Sequence, residues 1–333
     1  MAFQSPKLCF FLPQTAIYSE QWEILDIGLD PEFMFGAYGT QLIGKQEVLP
    51  MYRMREKFAN KFDYGHVAII GGSYGKIGAV HLASKAALIT GCGLVTSYIP
   101  KCGYTALQSS FPEAMVQTTT HEKLLDKIEL KGQFNVVGIG VGMGVDEITQ
   151  KAFSDFININ KQPLVIDADG INCLSQNKEL LSKLPEMTVL TPHKKELARL
   201  IGEWGNDFEM LDKAKAFSTQ YDCVLVLKDA ITITVYQQEI FINTTGNPAL
   251  ATAGTGDVLT GVIASLIAQG YDALQASLFG VYLQGRTADI ALENKGYQSF
   301  IASDSINNIA NAYLDLFKQP EAPKEEEAQS KKK

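Results

Sequence analysis

Between Asn247 and Gly261 the chain reads Asn-Pro-Ala-Leu-Ala-Thr-Ala-Gly-Thr-Gly-Asp-Val-Leu-Thr-Gly, setting glycines, hydroxyls and one carboxylate directly ahead of an apolar pattern. Val258, Leu259, Val262, Ile263, Leu266 and Ile267 recur at helical spacing, so the glycines end where a buried helix begins. A helix N-terminus carries unpaired N–H donors and a partial positive charge, and glycine lets an anion approach them closely. Gly254, Thr255 and Gly256 are therefore a candidate phosphate cradle, and Asp257 a candidate acid-base group for a hydroxyl beside it. A tight turn with Asp257 as helix cap would use the same residues structurally.

Five more loops have chemistry-bearing residues. Gly71-Gly72-Ser73-Tyr74-Gly75-Lys76-Ile77-Gly78-Ala79 follows a strand pattern and opens a helix. It is no P-loop, because Ile70 and Ile77 stand where that motif needs glycine and a hydroxyl. Nor is it a dinucleotide fingerprint, since no acid occurs between Gly78 and Glu113. It reads as a ligand-facing loop or as a packing turn. Residues 138–144, with glycine at 138, 140, 142 and 144, leave backbone bare for a flat ligand or simply turn the chain. Asp167, Asp169 and Asn172 could support a hydrated magnesium ion, or Asp169 could cap a helix; no metal ligand is assigned. Thr191-Pro192-His193 ends another strand, and Lys228-Asp229-Ala230-Ile231-Thr232 offers an ammonium and a hydroxyl to a nucleotide phosphate or ribose, or forms a surface turn. No Ser-His-Asp or Cys-His triad follows from spacing.

The elements that must hold these loops alternate. Strand patterns at residues 66–70, 93–99, 135–139, 163–166, 188–190 and 223–227 are interleaved with helical ones at 78–90, at 147–157 and from 194 onward. Such alternation builds a mostly parallel sheet covered by helices, with ligands bound beyond the carboxyl ends of the strands. Residues 231–236 and 239–242 read as an antiparallel hairpin at one edge, and three helices follow, the last ending near Phe317. Residues 8–12 and 23–27 look like short strands, and residues 38–61 like a linker. The tail from Pro320 to Lys333 has no apolar periodicity and is expected to be disordered.

With 333 residues, 46% hydrophobic and 20% charged, the chain suits one large α/β domain with tails. No apolar stretch approaches a membrane span, and no signal peptide is apparent, so the cytoplasm is the expected compartment. A net charge of −8 argues against nucleic acid and for small-molecule partners. The 5 cysteines include no Cys-x-x-Cys pair and the 4 histidines no ligand spacing, so neither disulfides nor zinc is indicated.

Taken in order, GGSYGKIGAVHLASKAAL (71–88), GCGLVT (91–96), VVGIGVGMG (136–144), PLVIDADGIN (163–172), TVLTPHKKE (188–196), VLVLKDAIT (224–232) and NPALATAGTGDVLTG (247–261) resemble the ribokinase-like superfamily and, within it, the NAD(P)H-hydrate dehydratases. The resemblance covers residues 53–317. It implies a ribokinase-like three-layer α/β/α fold with a mostly parallel central sheet and an antiparallel edge hairpin. Residues 1–50 would be a remnant of an epimerase domain and its linker, without epimerase activity. Residues 51–318 would be the dehydratase domain, and 319–333 the disordered charged tail.

The implied enzyme is a hydro-lyase that restores NADH or NADPH from the (S)-hydrate (NAD(P)HX). The hydrate hydroxyl would be phosphorylated and phosphate then eliminated, giving AMP from ADP or ADP from ATP, with Mg2+ as cofactor. The resemblance implies Asp257 as the catalytic residue, Ala79, Gly142, His193 and Asp257 as hydrate contacts, and Lys228 to Thr232 with Gly256 as nucleotide contacts. Where that loop usually has glycine after lysine, this chain has Asp229, a negative charge near the phosphates unless its side chain points outward. A homo-oligomer, possibly a tetramer, is also implied. The alternatives are a small-alcohol or vitamin-precursor kinase of the same superfamily and a non-catalytic nucleotide-binding module. The vitamin kinases tend to have asparagine where His193 stands, which favours the dehydratase.

Overall fold

The computed structural model describes residues 1–19, 21–30 and 39–319. Apart from a two-stranded pair, β1 (Ala2–Phe3) and β2 (Ile24–Leu25), ten strands form one sheet. They are β3 (Thr40–Ile43), β4 (His66–Ile70), β5 (Leu94–Ile99), β6 (Met115–Thr118), β7 (Val136–Ile139), β8 (Leu164–Ile166), β9 (Thr188–Leu190), β10 (Cys223–Leu227), β11 (Ile233–Tyr236) and β12 (Glu239–Asn243). Their order is β3-β12-β11-β10-β9-β8-β7-β4-β5-β6, and β11 alone runs against its neighbours.

The alternation of side chains along each strand feeds two cores. Val67, Ile69, Val224 and Val226 face the helices Ile77–Thr90, Thr255–Ala268, Ala273–Ala291 and Ala302–Asp315. Ala68, Ile70, Leu225 and Leu227 face Glu147–Ile159, Asp169–Gln176, Lys194–Ile201 and Asp207–Tyr221. The result is three layers, α/β/α. From β4 the chain runs outward to β5 and β6, then returns to lay β7 on the other side of β4. That reversal opens a crevice at the carboxyl ends of β4 and β7, where ligands of open α/β sheets bind.

Three expectations change. Residues 8–12 form no strand: Leu8–Phe10 is a 3-10 turn and Pro13–Ala16 a helical turn, which together carry Leu12, fully buried, into the core. Thr40–Ile43, expected in a linker, pairs in parallel with β12. The hairpin therefore lies one strand in from the edge of the sheet. The expected disordered tail lies outside the described residues. Among the described residues no helix is long and apolar enough to cross a membrane.

Candidate active site

Asp167 leaves the end of β8 almost wholly buried, at 1% exposure. Its Oδ1 lies 2.6 Å from Lys228 Nζ, at the end of β10, and its Oδ2 accepts the Thr260 hydroxyl at 3.1 Å. Burial would raise this carboxyl, but the Lys228 ammonium and its hydrogen bond hold it below the ordinary aspartate value. Gly140 makes this placement possible: at φ +118°, a side chain there would meet the Asp167 carbonyl 2.0 Å away. Ala168 is held at φ 49° and ψ −119°, a conformation costly for a residue with a Cβ, so that Asp167 turns inward while Asp169 opens the next helix.

The helix Thr255–Ala268 ends at this pair. Its first intrahelical bond runs from Val258 N–H to Gly254 O, so the preceding N–H groups point out of the helix end. A Cβ on Gly256 would lie 3.2 Å from Lys228 Nζ and 3.3 Å from Asp167 Oδ2. The helix end and the ion pair thus border one space, which an anion can reach because residue 256 has no side chain. The Thr255 hydroxyl is not part of that surface. It donates to Leu250 O at 3.0 Å and Thr252 O at 2.9 Å, folding the approach loop, so Thr255 offers only its backbone.

Asp257 occupies the first turn of this helix, half-buried. Burial pushes its carboxyl up to about 7; the Asp167 charge adds to this, Lys228 opposes it, and Asp169 adds again. A carboxylate with that affinity for a proton is a far better general base than an exposed aspartate.

The two glycine-rich loops interlock beside it. Ser73 Oγ donates to Gly142 O at 2.9 Å, Gly72 N–H donates to Val141 O at 2.8 Å, and a Cβ on Gly142 would lie 3.0 Å from the Ala79 methyl. Ala79 and Gly142 are therefore neighbours across the β4/β7 crevice. Asp169 Oδ2 accepts Gly144 N–H at 2.8 Å and lies 3.8 Å from Lys76 Nζ. His193 caps the helix Lys194–Ile201: its Nδ1 accepts Lys195 N–H at 3.1 Å and Glu196 N–H at 3.4 Å. That leaves the proton on Nε2, which faces buried Glu196 Oε1 at 3.2 Å. Burial raises Glu196, against the pull of the His193 N–H and of Lys228. A backbone bridge between His193 and Lys228 brings this loop alongside the nucleotide-type loop.

Lys228, Asp229, Ala230 and Thr232 line a cavity of about 530 Å³, together with Asn243, Asn247, Gln284 and Gly285. Ile231 faces away from it and packs with the core below. The Asp229 carboxylate turns back to accept Ala230 N–H at 2.7 Å. Sequence reasoning singled out Asp167 and Lys228 separately and missed their pairing, as well as Thr260 and Gln284. Gln284, at 7% exposure within an apolar helix face, carried a readable signal.

Among the described residues no group of three or more His, Cys, Asp or Glu could hold a metal ion. Both oxygens of Asp167 are engaged, and Asp169 Oδ2 serves Gly144. This donor set fits a Mg2+ carried on phosphates and mostly hydrated, with Asp257 or the second oxygen of Asp169 behind it.

The family profile described as NAD(P)H-hydrate dehydratase matches residues 67–311, which hold every element of this site. The chain belongs to the NAD(P)H-hydrate dehydratase family. Within that family, the ADP-dependent (S)-NAD(P)H-hydrate dehydratase of Staphylococcus aureus is 35% identical over 275 residues, 79% of this chain and 93% of that protein. The bifunctional NAD(P)H-hydrate repair enzyme of Moorella thermoacetica is 32% identical over 333 residues, 96% of this chain. The chain spans 63%, 62% and 52% of the length of three bifunctional relatives it matches. The solved structure of the ADP/ATP-dependent NAD(P)H-hydrate dehydratase from Bacillus subtilis, co-crystallised with ATP and Mg2+, superposes with a TM-score of 0.71. It is 25% identical and covers 82% of this chain and 97% of that one.

Proposed function

We propose that this protein removes water from the (S)-hydrate of NADH or NADPH at the expense of ADP or ATP. The observation that carries the reading is Asp257, a carboxyl raised to about 7, set on a helix end whose free N–H groups face the same space. Membership of the family supports it. The adenine nucleotide occupies the cavity at Lys228 to Thr232, with its terminal phosphate at Gly254, Thr255 and Gly256. The nicotinamide hydrate lies in the crevice at Ala79, Gly142 and His193, its hydroxyl on Asp257.

Asp257 takes the hydroxyl proton as the oxygen attacks phosphorus and the bond from that phosphorus to the leaving nucleotide breaks. The helix N-terminus and Lys228 lie where charge develops on the transferred group. Phosphate then departs with the original hydroxyl oxygen, driven by the ring nitrogen lone pair, and a ring C–H proton is lost to restore the dihydropyridine. When bound, Mg2+ neutralises charge on the nucleotide phosphates. The His193 ring, fixed by its cap bonds and by Glu196, offers the crevice a wall of set orientation.

The same proposal places the enzyme in the cytoplasm as a homo-oligomer and takes residues 1–50 as the end of an epimerase domain and its linker. The test is to supply purified protein with the hydrate, Mg2+ and either ADP or ATP, and to follow the absorbance of reduced nicotinamide. Its return with one nucleotide or both is expected. No return with either defeats the proposal, and a stable phosphorylated hydrate replaces it with kinase activity.

A further inference from the structure

One wall of the 530 Å³ cavity is the loop that carries Gly246, Asn247, Pro248 and Leu250 between β12 and the cradle helix. At its start Asn243 Nδ2 donates to Thr245 O at 2.7 Å and the Thr244 hydroxyl to Ile43 O at 3.0 Å, but neither bond holds Gly246 and Asn247. Asp289, on the helix Ala273–Ala291, does so from behind. Its Oδ2 accepts Gly246 N–H at 3.1 Å and its Oδ1 accepts Asn247 Nδ2 at 2.9 Å. Asn247 Oδ1 in turn accepts Ala249 N–H at 3.0 Å, which shapes the turn Pro248–Leu250.

Two more bonds tie the same helix to the same wall. The Thr245 hydroxyl donates to Tyr282 O at 2.9 Å, and Gln284 Nε2 donates to Thr255 O at 2.5 Å, at the start of the cradle helix. Arg286, which lies 3.9 Å from Asp289 Oδ2, spends its stronger contacts on Asp315 at 2.7 and 3.1 Å. The Asp289 carboxylate is therefore committed to the loop. A charged acceptor serving one backbone donor and one side-chain donor fixes both position and orientation.

We propose that Asp289 is a positioning residue for the nucleotide: it sets the cavity wall through Gly246 and Asn247 without touching the reacting atoms. This rests on the reading of the cavity as the nucleotide site. Loss of the carboxylate frees the loop, so nucleotide binding weakens while chemistry at Asp257 proceeds once the nucleotide is bound.

The experiment uses the full chain with Asp289→Ala, Asn247→Ala and the double variant. It measures KM for nucleotide and for hydrate, kcat at saturating nucleotide, and ADP binding by calorimetry. Each single variant is expected to raise the nucleotide KM and the ADP Kd about tenfold, with kcat and the hydrate KM within about twofold. The double variant should fall short of the product of the two singles, because both remove the Asn247–Asp289 bond while each also removes one of its own, to Ala249 and to Gly246. Asp289→Asn, which keeps one acceptor, should recover part of the loss. Additive effects, an unchanged nucleotide KM, or a fall in kcat at saturation would overturn the assignment. Should Asp289→Ala fail to fold, Asp289→Asn decides, with a smaller rise in nucleotide KM at unchanged kcat as the expected result. Failure of the unmodified protein to bind ADP would remove the nucleotide reading itself, and this inference with it.

Discussion

Asp257 and Asp229 are the two carboxylates whose surroundings set how the site behaves. With its carboxyl raised to about 7, Asp257 is partly protonated near neutrality, and only its ionised form can accept a proton. The kcat/KM for the hydrate is therefore expected to climb with pH and level off above about 7; a flat profile from acid to base would show that another group is the base. Asp257→Asn should lower kcat by about 10²–10⁴ and leave ADP binding by calorimetry unchanged. Folding raises this carboxyl from an ordinary 3.8 to about 7, so between those values the folded protein binds the proton more tightly than the unfolded chain. Stability from this group thus falls as pH rises through that window. Asp257→Asn removes the effect, and its Tm should exceed the unmodified protein's at alkaline pH by a margin that shrinks toward the acid end. Asp229 occupies Ala230 N–H and adds negative charge to the proposed nucleotide loop. Asp229→Gly should tighten ADP binding several-fold, most clearly at low salt; equal affinities would show that its carboxylate points away from the bound nucleotide.

At the level of elements, the N-terminus of the helix Thr255–Ala268 makes the cradle, and Gly256 keeps it open. Gly256→Ala gains helix propensity, at most about 1 kcal/mol, but sets a methyl against the buried Asp167–Lys228 pair. Its methyl would stand 3.2 Å from Lys228 Nζ and 3.3 Å from Asp167 Oδ2, blocking the approach of phosphate. We expect kcat/KM to fall at least about tenfold in protein that still folds cooperatively, given the strength of charge-assisted contacts to phosphate; full activity would place the phosphate elsewhere. This helix was legible in the sequence because an unbroken apolar periodicity follows the glycines. The strands His66–Ile70 and Cys223–Leu227 were legible because strands buried on both faces read as apolar runs. Thr40–Ile43 and Met115–Thr118 were not, since they are half-exposed edge strands of mixed polarity whose pairing is decided by the sheet. The same limit applies to the site. Each rim loop could be named from its glycines and charges, but Asp167 and Lys228 meet across 61 residues, a contact that only the parallel sheet order creates.

Across the whole molecule, residues before the first strand of the main sheet pack beside its β3 edge, where Leu8 and Phe11 share a hollow with Thr40, Gln41 and Leu42. The N-terminal segment packs beside the Lys228 loop: Leu12 is fully buried, Pro13 shares a small hollow with Lys228 and Asp229, and Gln14 exchanges two hydrogen bonds with Asp207, at 2.8 and 3.2 Å. Leu12→Ala should cost about 2–5 kcal/mol in chemical denaturation; an unchanged denaturation midpoint would show that the segment is not packed against the core in solution. The proposed chemistry turns on one event, transfer of a phosphoryl group to the hydrate hydroxyl before water is lost in the form of phosphate. The most direct measurement follows heavy oxygen placed in that hydroxyl through a single turnover with ADP or ATP. The label is predicted to appear in inorganic phosphate, in equal amount to the reduced nicotinamide formed. Label released as water would contradict phosphorylation and leave the nucleotide a role other than phosphoryl donor.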